Sequence, residues 1–125
     1  MENYSVRIKE ASKNLTARER LLMKDLSNAT KLDSVVTLDS TLIIEPVDFC
    51  VLEVHNEKSD NKDYENFVII DAGGNKYATG SLSFWTAFNE IWEEMKNEGE
   101  GFSVEVYKME SKNYKGKHFL TCSIV

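Results

Sequence analysis

One stretch, "SLSFWTAFNEIWEEMKNEG" (residues 81–99), restricts the fold more than any other. Phe84, Trp85, Phe88, Ile91, Trp92 and Met95 recur at helical spacing on one face, and Asn89, Glu90, Glu93 and Glu94 occupy the other. Ser81 or Ser83 can cap the start and Gly99 can end the helix. So aromatic a stripe is a core element, supplying the large apolar area that a small β-sheet needs on one face. The glutamates make the opposite side a poor surface for DNA.

Strand patterns surround this helix. "SVVTLDSTLIIE", from Ser34, is rich in β-branched residues and is broken by Pro46; "VDFCVLEVHNE" is strand-like over Val47 to His55. After the polar loop "KSDNKDY", "NFVIIDAGGNKYATG" reads as a hairpin turning at Gly73-Gly74-Asn75, with its second strand around Tyr77. These are turn glycines, since no phosphate-loop lysine-hydroxyl pair or strand-to-helix glycine pattern accompanies them. Beyond the helix, "FSVEVYKME" and "HFLTCSIV" form a terminal hairpin joined by "SKNYKGK". Alternation places Phe102, Val104 and Val106 on one face with Tyr107 opposite; His118, Leu120, Cys122 and Ile124 oppose Lys117, Phe119 and Thr121. Upstream, Thr16 and Glu19 in "LTARERLLMKDL" make a capping box, and Leu21, Leu22 and Leu26 give the helix a short apolar stripe.

The expected architecture is mainly β with helices. It is an OB-fold-like five-stranded Greek-key barrel (residues 32–125) with a helix between strands 3 and 4, preceded by a basic N-terminal helical segment (residues 1–31). A chain of 125 residues, 42% hydrophobic and 29% charged, is of ordinary globular composition. No apolar run reaches membrane-spanning length and the N-terminus lacks a signal-peptide core, so a cytoplasmic location is expected. Cys50 and Cys122, far apart in apolar strands, read as buried free thiols without metal-ligand spacing.

Charge is unevenly distributed. Residues 1–31 carry seven basic and four acidic groups (+3), residues 32–107 four and sixteen (−12), and residues 108–125 four and one (+3), which together give the formal −6. Within "SKNYKGKHF" (Ser111–Phe119), Lys112, Lys115 and Lys117 surround Tyr114 and precede Phe119, with no carboxylate. Single-strand binders pair a positive track for phosphates with aromatic platforms for bases. That chemistry nominates Tyr107, Tyr114 and Phe119 as stacking rings and Lys108, Lys112, Lys115 and Lys117 as phosphate contacts, with Lys76 and Tyr77 extending the track.

"IIEPVDFCVLEVHNEK", "FVIIDAGGNKYATGSLSFWTAF" and "VEVYKMESKNYKGKHFLTCSIV" resemble single-stranded DNA-binding proteins of phages and integrated mobile elements in low-GC Gram-positive bacteria. The most specific parts are the "GNKYATGS" segment with its following phenylalanines and the S-K-x-x-K-G-K-x-F hairpin. The resemblance runs from about Leu15 onward. It implies an OB-like fold, a bacterial host cytoplasm, non-sequence-specific coating and protection of replicating single strands, and no cofactor. A homo-oligomer and replication proteins are further partners compatible with it. The chain departs from cellular single-strand binders in stopping at the apolar "CSIV" instead of an acidic recruitment tail.

Two other functional classes bear on the same residues. The residues carry no H-E-x-x-H pair around His55 or His118, no G-x-S-x-G elbow, and only adjacent, divergent carboxylates at Glu93 and Glu94, so neither catalysis nor a metal site is expected. The alternative is a protein-interaction module, accessory or inhibitory, using its acidic middle to mimic DNA toward a basic partner.

Overall fold

The computed structural model describes residues 3–125. It is mainly β, with eight strands in two sheets and three helices. In chain order these are β1 (Tyr4–Ala11), α1 (Ala17–Lys24), β2 (Thr30–Lys31), α2 (Leu32–Val35), β3 (Leu42–Ile44), β4 (Pro46–Asn56), β5 (Asp63–Asp71), β6 (Lys76–Thr79), α3 (Leu82–Met95), β7 (Val104–Glu110) and β8 (His118–Ile124). The first sheet runs β1-β4-β5-β6-β2 and the second β3-β7-β8. The strands therefore make two sheets and not the closed five-stranded barrel expected. Pro46 is the reason they are joined yet separate. Lacking an N–H, it interrupts the ladder one residue after β3, and the chain leaves one sheet to enter the other. Glu45 spends its carbonyl on the N–H of Ala72 at this crossing, 2.9 Å away.

Two cores share the β4–β5 pair because alternate residues point to opposite faces. On one side Phe49 and Ile69 pack with Phe84 and Phe88 of α3 and with Val104, Val106, Leu120 and Cys122 of the second sheet. Trp85 stacks flat on Phe67 (centroids 5.0 Å, interplanar 2°), and Phe49 meets Trp85 and Trp92 edge-on, each at 5.0 Å. The aromatic stripe of α3 is core, Trp85 included. Ser81 caps this helix by accepting from the N–H of Phe84 at 3.2 Å. On the other side Cys50, Leu52, Val54 and Val68 pack with Met23 of α1 and with Val6, Ile8 and Leu26. Burial pushes the thiols of Cys50 and Cys122 up to about 12, so both are inert at neutral pH.

The N-terminal third departs from expectation. Within the segment expected to be helical, residues 1–31, Tyr4–Ala11 is a strand paired antiparallel with β4, Val6 opposite Val54 and Ile8 opposite Leu52, while residues 1–2 lie outside the described residues. Val6 and Ile8 face the second core while Arg7 and Lys9 reach Glu53 and Glu65. A bulge between Ile8 and Glu10 returns Ala11 to the core side. The capping box at Thr16 and Glu19 forms as expected, with both reciprocal bonds made. The stretch from Ser34 expected as a strand is one only at Leu42–Ile44 (β3); its start belongs to the single helical turn α2, flanked by the fully buried Leu32 and Val36. Among the described residues no helix is long and apolar enough to cross a membrane.

Candidate nucleic-acid interface

The β7–β8 hairpin carries most of the nominated residues. Its ladder sets Tyr107 opposite Thr121 and Met109 opposite Phe119 on the outer face, while Val104, Val106, Leu120 and Cys122 fill the core behind. The hydroxyls of Tyr107 and Ser123 hydrogen-bond across that face at 2.8 Å, which steadies the Tyr107 ring. Two main-chain bonds close the loop, Ser111 N–H to the Lys117 carbonyl (2.8 Å) and Lys117 N–H to the Tyr114 carbonyl (3.1 Å). Gly116 supplies the one left-handed residue this turn needs, at φ 81°. The result is an open face in which Tyr114 is 68% and Phe119 37% exposed, enough to offer ring surface to a base.

Lys112, Lys115 and Lys117 are exposed around this loop and none of them joins an ion pair among the described residues. Elsewhere Arg7, Lys9, Lys13, Lys62 and Lys96 each face a carboxylate within 3.4 Å. The hairpin is thus a place where positive charge is concentrated and left uncompensated. Lys108 lies on the inner side of β7, in register with Leu120, and donates to the Asp33 carbonyl of α2 at 2.9 Å.

Lys76 and Tyr77 do not join the hairpin track. They sit on β6, in the other sheet. Lys76 Nζ donates to the Leu22 carbonyl and, at 2.7 Å, to that of Asp25, so it caps the C-terminal end of α1. Tyr77 is half-buried against the first core and donates its hydroxyl to Asp71 at 3.1 Å; burial first, and then the Asp71 bond, hold its pKa above the usual phenol value.

A second feature was missed in the sequence. Tyr4, Lys31, Asp33, Tyr64, Asn66 and Gly80 line a cleft of about 430 Å³ along β5 and β6. Its lining includes two tyrosines, a carboxamide, a lysine and the Asp33 carboxylate, groups that can stack on and hydrogen-bond a nucleotide. Asp33 ties this cleft to the hairpin: its carboxylate accepts from Thr79 Oγ1 at 2.7 Å, and its carbonyl accepts from Lys108. The alternation Tyr64-Asn66-Val68 was the available signal, but only the pairing of β1 with β4 brings Tyr4 to it. Among the described residues no three His, Cys, Asp or Glu side chains gather as metal ligands.

No family model, curated protein or solved structure matches the chain.

Proposed function

We propose that this chain binds single-stranded DNA without sequence specificity, coating and protecting it during phage or mobile-element replication in a bacterial cytoplasm. The observation that carries the reading is the hairpin loop, where three lysines that join no ion pair among the described residues flank an exposed tyrosine in a chain whose net charge is −6. Electrostatic attraction would come from Lys112, Lys115 and Lys117, and base stacking from Tyr114, Phe119 and the outer ring of Tyr107. The Tyr4–Tyr64 cleft is a second candidate contact, tied to the hairpin through the Lys108–Asp33 bond on the inner side of β7.

The strand connections support an OB-like reading. β3 and β4 together play a bent first strand, pairing with β7 through one half and with β5 through the other. β5, β6, α3, β7 and β8 then follow in the OB order, with β6 paired to β2 in place of β8. In this reading the lysine hairpin is the loop between the fourth and fifth strands, a position from which OB-folds contact oligonucleotides.

Charge reversal tests the assignment. Lys112→Glu, Lys115→Glu and Lys117→Glu combined should abolish mobility shift of a pyrimidine oligonucleotide, leaving the circular dichroism unchanged. A triple variant that binds as well as the parent would remove the hairpin from the site and favour the acidic surface as the working face.

A further inference from the structure

Two exposed apolar patches of opposite charge lie on opposite sides of the molecule. The first is on α1, where Arg18, Leu21 and Leu22 share one face at three- and four-residue spacing. Leu21 is 70% and Leu22 58% exposed, although Met23 beside them is buried. Arg20 is held by the Leu15 carbonyl at 2.8 Å, which leaves Arg18 as the free guanidinium at this face. The second patch is a groove of about 210 Å³ lined by Glu90, Ile91, Glu94, Met95 and Ile124, with Ile124 49% exposed at the end of β8. Among the described residues neither Glu90, Glu94 nor Arg18 joins an ion pair.

We propose that α1 of one copy of this chain docks into the acidic groove between α3 and β8 of another, so that copies associate head to tail. Leu21 and Leu22 enter the apolar floor formed by Ile91, Met95 and Ile124, and Arg18 meets Glu90 and Glu94 at its rim. The charges are opposite in sign, and this complementarity favours a second copy over an uncharged occupant. The positions of the patches fix the symmetry. α1 covers the Cys50–Val68 side of the β4–β5 pair and α3 the Phe49–Ile69 side, so the two surfaces face away from each other. A contact between different patches is heterologous, and it propagates into a ring or an open array instead of closing as a twofold dimer. Of the β7–β8 hairpin only Ile124, at the far end of β8, lines the groove, so the lysine loop of each copy in an array stays clear as its candidate DNA surface.

Sedimentation velocity of the full chain, across two decades of concentration and without nucleic acid, tests this. The parent should show a sedimentation coefficient that rises with concentration beyond that of a dimer. Arg18→Glu and Glu94→Arg should each weaken association about tenfold, and the two together should recover most of it. Leu22→Ser should weaken it as well. All of these positions are exposed, so circular dichroism should remain that of the parent. A chain that stays monomeric throughout, or association that none of the variants alters, would overturn the proposal. Binding of an oligonucleotide too short for two copies should be equal in all variants. Its absence from the parent would count against DNA binding and leave the association test intact.

Discussion

Neutralising the hairpin lysines while keeping their bulk isolates the electrostatic part of the account. Lys112, Lys115 and Lys117 are exposed and outside the observed ion pairs, so in the combined Gln variant no partner is left stranded. Each lysine that neutralises a phosphate on a single strand contributes about −0.7 to the slope of log affinity against log salt concentration. Three such contacts contribute about −2, which amounts to a loss of roughly 20-fold when salt rises fourfold. Affinity measured by fluorescence anisotropy at a series of salt concentrations should give a variant slope shallower than the parent's by about 2. Unfolding midpoints should coincide. Parallel lines, with the variant as salt-sensitive as the parent, would refute the phosphate role of these side chains even if affinity fell.

The stacking role separates from the charge role in Tyr114→Ala, which should cost about 1–3 kcal/mol of single-strand affinity, on the order of 5- to 150-fold, with an unchanged salt slope. In the core, Phe88 is fully buried between Phe49, Phe84, Trp85 and Trp92, so Phe88→Ala should lower the unfolding free energy by about 3–5 kcal/mol in urea titration. His55 provides a pH test. Its Nδ1 meets Asp63 and its Nε2 meets Glu57, each at 2.7 Å, and these bonds, Asp63's first, raise its folded pKa above 6.5. A raised folded pKa means that the stabilisation is complete below about pH 6.5 and is lost as pH climbs through the folded value. Thermal midpoints of the parent should therefore fall across that window, and His55→Asn should remove this component of the fall.

Legibility followed the strength of the local pattern. The aromatic period of α3 was legible because Phe84, Trp85, Phe88 and Trp92 on one helical face leave no other place for so much ring area than a core, while Met95 at the end of the stripe lies outside it. Thr16 and Glu19 were equally legible, since a capping box is complete within four residues. The strand at Tyr4–Ala11 was missed because Val6 and Ile8 alternate for only a short span among charged neighbours, and their burial depends on β4 lying beside them. The helical turn at Leu32–Val35 was hidden by β-branched neighbours, whose propensity gave way to the burial of Leu32 and Val36. The same limit applies to the site. The hairpin face followed from period-two alternation, whereas the attachment of Lys76 to the end of α1 is a contact across 51 residues that no local rule contains.

The central claim meets its most direct test in an anisotropy titration of the parent chain against a labelled oligothymidine, with a duplex of equal length as competitor. The account predicts saturable binding at low salt that weakens steeply as salt rises, and a clear preference for the single strand. No binding at low salt, or a duplex that competes as well as the single strand, would contradict it.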